Sequence, residues 1–391
     1  MNQLKELAEK YGSPLYVFDS DAVKKRIAGI KKVLPENTVL CYAIKANPFL
    51  VEPLKDEDLL FEVCSPGELS ICEKAGLSPD KIVFSGVCKT AEDVERAYKL
   101  KVKTITLESP LHCKYLLDAI KKLPVHSQEV ILRLTSGNQF GMSSEDIDAC
   151  IQEIKKEPSV KIRGIHYFTG TQKKQKKIQE ETVFIQDYCS SLKEKHSIDF
   201  SQIEYGPGLS YEYFSDTDQS ENFSEVQFFA DQIKTSPWTF VIELGRYIAS
   251  CCGTYITKIM DVKKDGDSTY VIIDGGINHI NYYGQMMGMK NPKVIQIKEA
   301  SEVQNSTDST PCTICGSLCT TADVVLRKLE LSAPEYGDLL AFKDIGAYSI
   351  TEGIYLFLSH PLPAVVLKQN SAFTLLRNHK ETFIINSKDS R

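Results

Sequence analysis

Short apolar runs alternate with amphipathic segments between residues 37 and 245, and this alternation constrains the fold more than any other feature of the chain. The apolar runs are TVLCYAIKA, KIVFSG, VKTITLES, EVILRLT, VKIRGIHYF, IEYGPG and TFVIELG. Between them, segments such as Ala91–Leu100 and Ser144–Glu157 carry apolar residues at helical spacing and end in turn residues. The alternation predicts an α/β fold, a (β/α)8 TIM-like barrel, in which functional groups lie at the C-terminal ends of the strands.

A second domain is predicted because the pattern changes after Arg246 to strand runs without long helices between them. These runs include TYITKIMDV, STYVIIDG, GDLLAFKD and PAVVLK. The LYVFD run at Leu15–Asp19 precedes the barrel pattern and is predicted to join the same C-terminal, mostly β sheet. We therefore expect a barrel over residues 20–248 and a β-domain formed by residues 1–19 and 249–391. The polar stretch Ser301–Thr310 is the predicted mobile loop of the β-domain.

Composition and charge favour work on small molecules over nucleic-acid or membrane binding. The 46 basic and 52 acidic residues give a net charge of -6 without long blocks of one sign. No stretch approaches the roughly 20 apolar residues of a membrane span, and the N-terminal segment lacks the apolar core of a signal peptide. Several of the 12 cysteines lie in apolar or helical segments, as buried reduced thiols do. We expect a cytoplasmic protein.

Lys45, in the segment CYAIKANP, ends an apolar strand run that Ala-Asn-Pro then stops. A lysine at this point is predicted to face the mouth of the barrel, where its amine can form a Schiff base if it is accessible as the free base. Taken alone, a lysine at a strand end is more commonly a solvated surface residue. The surrounding motifs therefore decide between the two interpretations.

Four motifs, in order along the chain, resemble those of the fold-type III decarboxylases, the group that contains diaminopimelate and ornithine decarboxylases. They are CYAIKANP, GPGLSYEY, IELGRYIAS and CGSLCTTAD, and the resemblance extends from Leu15 to Leu367. It implies an alanine-racemase-like barrel, pyridoxal 5'-phosphate as the cofactor, and Lys45 as the residue that carries it. It also implies an amino-acid substrate and a homodimer with shared active sites.

The resemblance assigns cofactor contacts to the second and third motifs. Gly206 and Gly208 would wrap the cofactor phosphate, because glycines let backbone amides approach an anion closely. Glu243 would pair with the pyridine nitrogen, and Arg246 would bind an anionic group of cofactor or substrate. Taken alone, Gly-Pro-Gly is usually a turn and Glu-x-x-Arg a surface ion pair. A leucine replaces the family's proline in the third motif, whose remaining residues are Glu243, Gly245 and Arg246.

The fourth motif assigns Cys319 as the acid at the substrate carbon, reaching across the dimer into the partner's site. Asp323 would orient groups near it, and Tyr348 in DIGAYSITEG resembles the family's tyrosine that reaches cofactor phosphate and substrate. A zinc site using Cys312, Cys315 and Cys319 is the alternative, but the sequence offers no second pair of ligands nearby.

Two positions depart from the family pattern. His166 matches the first histidine of the family's His-x-His run, but Phe168 takes the place of the second, which stacks on the pyridine ring. Thr320 stands where diaminopimelate decarboxylases carry a glutamate for the distal ammonium, and Gln139 replaces a basic residue. These changes argue against diaminopimelate as substrate. They resemble relatives of secondary metabolism, some of which act on an aminoacyl group tethered to a carrier protein.

Two other functions fit the same fold. An amino-acid racemase would remove the α-proton instead of the carboxylate, but such racemases place an arginine at the pyridine nitrogen, where this chain has Glu243. A non-catalytic homologue that binds the cofactor is the other alternative, and retention of Lys45 and Cys319 argues against it.

Overall fold

The computed structural model describes residues 2–298 and 309–388. Two compact units divide the chain. The barrel unit comprises Ile27–Tyr211 and Asn222–Ile248, and the sheet unit comprises Met1–Arg26, Glu212–Glu221 and Ala249–Arg391. Of the predicted mobile loop Ser301–Thr310, only Ser309 and Thr310 lie within the described residues, and both belong to a strand.

Strands and helices are numbered in chain order. The strands are β1 (Leu15–Asp19), β2 (Thr38–Ala43), β3 (Leu60–Val63), β4 (Ile82–Phe84), β5 (Thr104–Leu107), β6 (Gln128–Arg133), β7 (Val160–Phe168), β8 (Gln202–Gly206), β9 (Thr239–Leu244), β10 (Gly253–Asp265), β11 (Ser268–Ile273), β12 (Val294–Ile297), β13 (Ser309–Cys315), β14 (Val324–Ser332), β15 (Leu339–Lys343), β16 (Ala364–Gln369) and β17 (Ala372–Arg377). The helices are α1 (Asn2–Tyr11), α2 (Ser20–Val33), α3 (Val51–Leu54), α4 (Pro66–Ala75), α5 (Ala91–Leu100), α6 (Pro110–Lys122), α7 (Ser144–Ile154), α8 (Gln175–His196), α9 (Ser224–Ile233) and α10 (Arg246–Ala249).

Strands β2 to β9 form a closed, parallel, eight-stranded barrel, which confirms the predicted fold class. The barrel closes where β2 pairs with β9, with Cys41 opposite Glu243. Seven of its strands coincide with the predicted apolar runs, although β6 and β8 each begin one residue earlier. The eighth, β3, has only four residues and includes a glutamate, so its apolar run is short.

The helices of the barrel follow their local signals closely. Helix α5 begins at a capping box in which Thr90 and Asp93 exchange hydrogen bonds, and it ends at Lys101 in the left-handed conformation. Helix α7 begins at Ser144 as predicted but ends at Ile154, before the predicted Glu157. Glu157 precedes a proline, and a residue in that position disfavours helical backbone angles.

The second unit contains a nine-stranded sheet whose main path runs β14-β13-β11-β10-β1-β16-β17. Strand β1 pairs antiparallel with β10 and parallel with β16, so the prediction that the LYVFD run joins this sheet is confirmed. One side of the sheet packs against α1 in an apolar cluster of Leu7, Leu15, Val17, Ile256, Ile297, Leu339, Ala341, Ala364 and Val366. Within the described ranges, no helix combines the length and apolar character needed to cross a membrane.

Candidate active site

Lys45 lies just beyond the end of β2, in a single 3-10 turn over Ile44–Ala46. The following Asn47 caps the next turn by accepting a hydrogen bond from the Phe49 amide, so the chain leaves the barrel directly after the lysine. The Lys45 side chain is 40% exposed, whereas the side chain of its acidic partner Glu62 is 5% exposed. A partly accessible amine is thus held at the C-terminal end of the barrel by a buried carboxylate.

The partners of Lys45 come from the next strand. Lys45 Nζ lies 2.8 Å from Glu62 Oε2 and 3.6 Å from Cys64 Sγ. Burial, and then the charge of Glu62, raise the pKa of the Cys64 thiol well above its usual range, so Cys64 stays protonated beside the amine. The sequence analysis missed Glu62, although a glutamate inside the apolar run LLFEVC was the signal that could have identified it.

Three adjacent strands place His166, Glu204 and Glu243 together inside the barrel. His166 Nε2 lies 3.2 Å from Glu243 Oε2, and ligand atoms of all three residues lie within 4.8 Å of one another. Within the described residues this is the only such cluster of potential metal ligands, and the three cysteines of the alternative zinc site do not form one.

The pKa values of the two carboxyl groups of this cluster are shifted in opposite directions. Burial, and then the charge of Glu243, raise the pKa of Glu204 well above its usual range. Burial alone would also raise the pKa of Glu243, but the charge of His166, its hydrogen bond and the charge of Lys45 together lower it. Among the described residues, both Glu204 oxygens and Glu243 Oε1 have no hydrogen-bond partner. Glu204 is therefore the protonated member and Glu243 the ionised one.

The glycine motif forms a tight loop directly after β8. Gly208 has a φ of +59°, and a Cβ there would approach Gly170 O to 2.2 Å, so a side chain is excluded by both conformation and space. A Cβ at Gly206 would approach a ring carbon of Phe168 to 2.4 Å. Phe168 therefore packs against the loop at the ends of two neighbouring strands.

Two buried arginines add positive charge to the barrel unit. Arg246 opens α10 directly after Gly245, which follows β9. Arg133, at the end of β6, forms a buried ion pair with Glu108 at 2.5 Å. Arg133 also opposes the rise in the pKa of Glu204, and the sequence analysis did not identify it.

The remaining predicted site residues belong to the sheet unit. Cys319 and Thr320 lie in an exposed turn between β13 and β14. Asp323 is buried and accepts hydrogen bonds from the amides of Ile277 at 2.9 Å and Leu318 at 2.8 Å. It therefore shapes the turn that carries Cys319. Tyr348 has a φ of +67°, a left-handed conformation that is uncommon for a tyrosine.

Comparison with known proteins gives consistent matches over almost the whole chain. A family model described as pyridoxal-dependent decarboxylase, pyridoxal binding domain, matches residues 20–250. The L-glutamyl-[BtrI acyl-carrier protein] decarboxylase of Niallia circulans is 26% identical over 96% of this chain and 93% of its own length. The 2-[(L-alanin-3-ylcarbamoyl)methyl]-2-hydroxybutanedioate decarboxylase of Staphylococcus aureus is 27% identical over 90% of this chain and 93% of its own length. The crystal structure of diaminopimelate decarboxylase from M. jannaschii has a TM-score of 0.85 at 25% identity, and the match covers 99% of this chain and 94% of that one.

Proposed function

Because the chain belongs to the pyridoxal-dependent decarboxylases, whose cofactor is pyridoxal 5'-phosphate, we propose that it removes the α-carboxylate from an amino acid tethered to a carrier protein. Decarboxylation, rather than racemisation or cofactor binding alone, is the activity of this family. The observation that carries the proposal is the barrel end at which Lys45 directly follows β2 and Glu243 lies on β9, the strand that pairs with β2.

The residues of the barrel unit fit the three reactive parts of this cofactor. Lys45 offers a partly exposed amine for the aldehyde. Glu243 is a buried anion suited to a protonated ring nitrogen. The loop from Gly206 to Gly208 has no side chain at two positions where a Cβ would clash, so backbone amides can approach a phosphate.

Each of these residues has a defined task in the proposed site. When bound, the cofactor accepts the electron pair that departure of carbon dioxide leaves on the substrate carbon. Glu243 holds a proton at the ring nitrogen, and its hydrogen bond with His166 fixes the carboxylate in position. Phe168 would offer the ring an aromatic face without adding a titratable group. Arg246 binds an anionic group of the cofactor or substrate.

The proton that replaces carbon dioxide is assigned to Cys319. Its thiol donates the proton to the substrate carbon, and the resulting thiolate recovers a proton from water. Cys319 is exposed on the sheet unit, and Asp323 supports its turn. In this proposal the chain forms a homodimer, and Cys319 of one subunit serves the barrel of the other.

The preference for a tethered substrate rests on the residue that follows Cys319. Thr320 is a neutral hydroxyl, so it pairs poorly with the distal ammonium of diaminopimelate. The name of the Niallia circulans relative specifies a substrate carried by a protein. A tethered substrate has its distal group bonded to a carrier and needs no ammonium-binding carboxylate.

We also assign the protein to the cytoplasm, because its 12 cysteines, all within the described residues, are free thiols.

The assignment of Lys45 can be tested by trapping the cofactor with borohydride and mapping the labelled peptide. Lys89 is the sharpest competitor, because it lies in the barrel unit and burial lowers its pKa to about 8, which favours the free amine. We expect label on Lys45 in the wild type, no label in Lys45→Ala, and unchanged label in Lys89→Met. Finding the label on Lys89 and not on Lys45 in the wild-type protein would refute the assignment.

The substrate can be tested by mass-spectrometric detection of decarboxylated product. One panel contains free lysine, ornithine, arginine, glutamate and diaminopimelate, and the other contains aminoacyl groups on a phosphopantetheinylated carrier protein. We expect product only from the second panel. A clean product from free diaminopimelate would refute the tethered substrate while leaving the decarboxylase assignment intact.

A further inference from the structure

The buried ion pair between Lys173 and Glu181 contacts the glycine loop and is not used by the proposed reaction. Lys173 Nζ lies 2.6 Å from Glu181 Oε2, and the two residues are 8% and 2% exposed. Tyr205, on β8, donates a hydrogen bond to the same carboxylate oxygen at 2.8 Å. Burying a lysine and a glutamate costs free energy unless both are well partnered, so this pair calls for a structural or functional reason.

Lys173 contacts the glycine loop at three successive points. Its Nζ donates to Gly206 O at 3.1 Å, its backbone amide donates to Gly208 O at 2.9 Å, and its carbonyl accepts from Ser210 Oγ at 3.2 Å. Its Cε lies 2.9 Å from where a Cβ of Gly208 would be. One side chain and its own peptide groups therefore bracket the loop from Gly206 to Ser210.

These contacts also fix the direction of the loop's peptide groups. In a planar trans peptide, a carbonyl and the amide that follows it point in opposite directions. Because the Gly208 carbonyl points towards Lys173, the amide of Leu209 points away from it. The carbonyl oxygens of Gly206 and Gly208 thus point towards Lys173, and the Leu209 amide points in the opposite direction. An anion site requires backbone amides, and not carbonyl oxygens, to face the anion.

We propose that the Lys173–Glu181 ion pair is a positioning device that holds the loop from Gly206 to Gly208 in the conformation that accepts the cofactor phosphate. The proposal rests on the phosphate role assigned to this loop under the proposed function. Lys173 acts through the loop and is a positioning residue, not a catalytic one. Glu181 keeps the Lys173 ammonium in place, and Tyr205 and Thr169 hold the Glu181 carboxylate.

The test compares pyridoxal 5'-phosphate with pyridoxal, which has the same ring and aldehyde but no phosphate. Full-length apoprotein is titrated with each compound, and binding is followed by absorbance. Wild-type protein is expected to bind the phosphorylated compound more tightly. In Lys173→Met we expect this preference to fall about tenfold or more, since misplacing a binding group by an ångström can cost that much. Affinity for pyridoxal should stay unchanged.

The matched control is Lys177→Met. Lys177 lies 3.4 Å from Glu181 Oε1, but its side chain is 56% exposed. Like Lys173→Met, this variant removes one positively charged partner of Glu181. Because Lys177 does not share the loop contacts of Lys173, the variant should prefer the phosphorylated compound as strongly as the wild type does. If Lys173→Met does not fold, Glu181→Gln carries the test, because it removes the ion pair with little change in shape.

The outcomes distinguish the positioning role of the ion pair from the phosphate role of the glycine loop. A wild-type protein that does not prefer the phosphorylated compound refutes the phosphate role of the loop, and this inference with it. A wild-type preference that survives in both Lys173→Met and Glu181→Gln refutes the positioning role alone. Equal losses of affinity for both compounds would indicate a general structural role and would also overturn the proposal.

Discussion

At the scale of single residues, the site depends on which of two neighbouring buried carboxyls keeps a proton. Glu204 is protonated because burial and the Glu243 charge raise its pKa, so it places no second negative charge beside Glu243. The proton on Glu204 therefore helps keep Glu243 ionised. A glutamine at position 204 would be a neutral group of similar shape at any pH, which makes this residue accessible to a direct test.

We expect Glu204→Gln to be increasingly more stable than the wild type as the pH rises. The folded-state pKa of Glu204 lies above its unfolded value of about 4.5. Folding therefore keeps a proton that the unfolded chain releases, and wild-type stability falls as the pH rises above that value. Glutamine has no proton to lose. The measurement is the thermal unfolding midpoint of both proteins from pH 5 to pH 9, and a difference that stays constant or shrinks with pH would contradict the assignment.

Residues with a distinctive local context can be predicted from the sequence, and residues that act through partners cannot. Lys45 and Glu243 are predictable because each ends an apolar strand within a recognisable motif. Glu62 and Glu204 also lie in barrel strands, but their importance depends on strand pairing that brings them to Lys45 and Glu243. Lys173 lies in a polar, lysine-rich stretch, where nothing local distinguishes a buried lysine from exposed ones.

At the scale of elements, the sequence predicts strands and helices well where local chemistry sets their ends. Helix α5 matches its predicted bounds because a capping box starts it and a left-handed residue ends it. The short strand β3 lacks such signals. The close contact between β7 and β8 is also invisible in the sequence, because it depends on a glycine whose neighbour belongs to another strand.

Gly164 is that glycine, and we expect Gly164→Ala to be strongly destabilising. A Cβ there would approach Gln202 O, on the paired strand β8, to 1.7 Å, so the two strands must separate. Overpacking typically costs about 1–3 kcal/mol, and a paired backbone atom that cannot move aside puts Gly164→Ala at the upper end of that range. Gly76→Ala is the control, because its left-handed backbone costs about 1 kcal/mol while its Cβ meets nothing within 4 Å. The thermal unfolding midpoint should fall further in Gly164→Ala than in Gly76→Ala. Equal midpoints would refute the packing argument.

At the scale of the whole molecule, the sequence predicts a barrel and a sheet but not that Glu212–Glu221 groups with the sheet unit. This segment follows the glycine loop and has no periodic pattern. Its place is set by tertiary contacts within the sheet unit: Arg26 donates to Gln219 O at 2.8 Å, and Tyr213 and Ser250 share a hydrogen bond of 2.6 Å. Such contacts join residues far apart in sequence, so no local pattern records them.

If the chain forms the proposed homodimer with shared sites, two variants that are each inactive should restore activity when they are combined. Lys45→Ala lacks the cofactor attachment and Cys319→Ala lacks the proton donor, so each variant should release little product. Cys319→Ala should still bind the cofactor. When the two variants are co-expressed in equal amounts, half of the dimers contain one subunit of each kind, and one of the two sites in such a dimer has both residues intact.

Activity should therefore recover to about a quarter of the wild-type value, as expected for random pairing across a twofold interface. The measurement is carbon dioxide release with the substrate identified in the panels, normalised to total protein. The control pairs Lys45→Ala with the double variant Lys45→Ala/Cys319→Ala, in which every combination lacks an intact Lys45, and no activity should return. If Cys319 served its own subunit, the mixed dimers would contain no complete site, and the variants would stay inactive together.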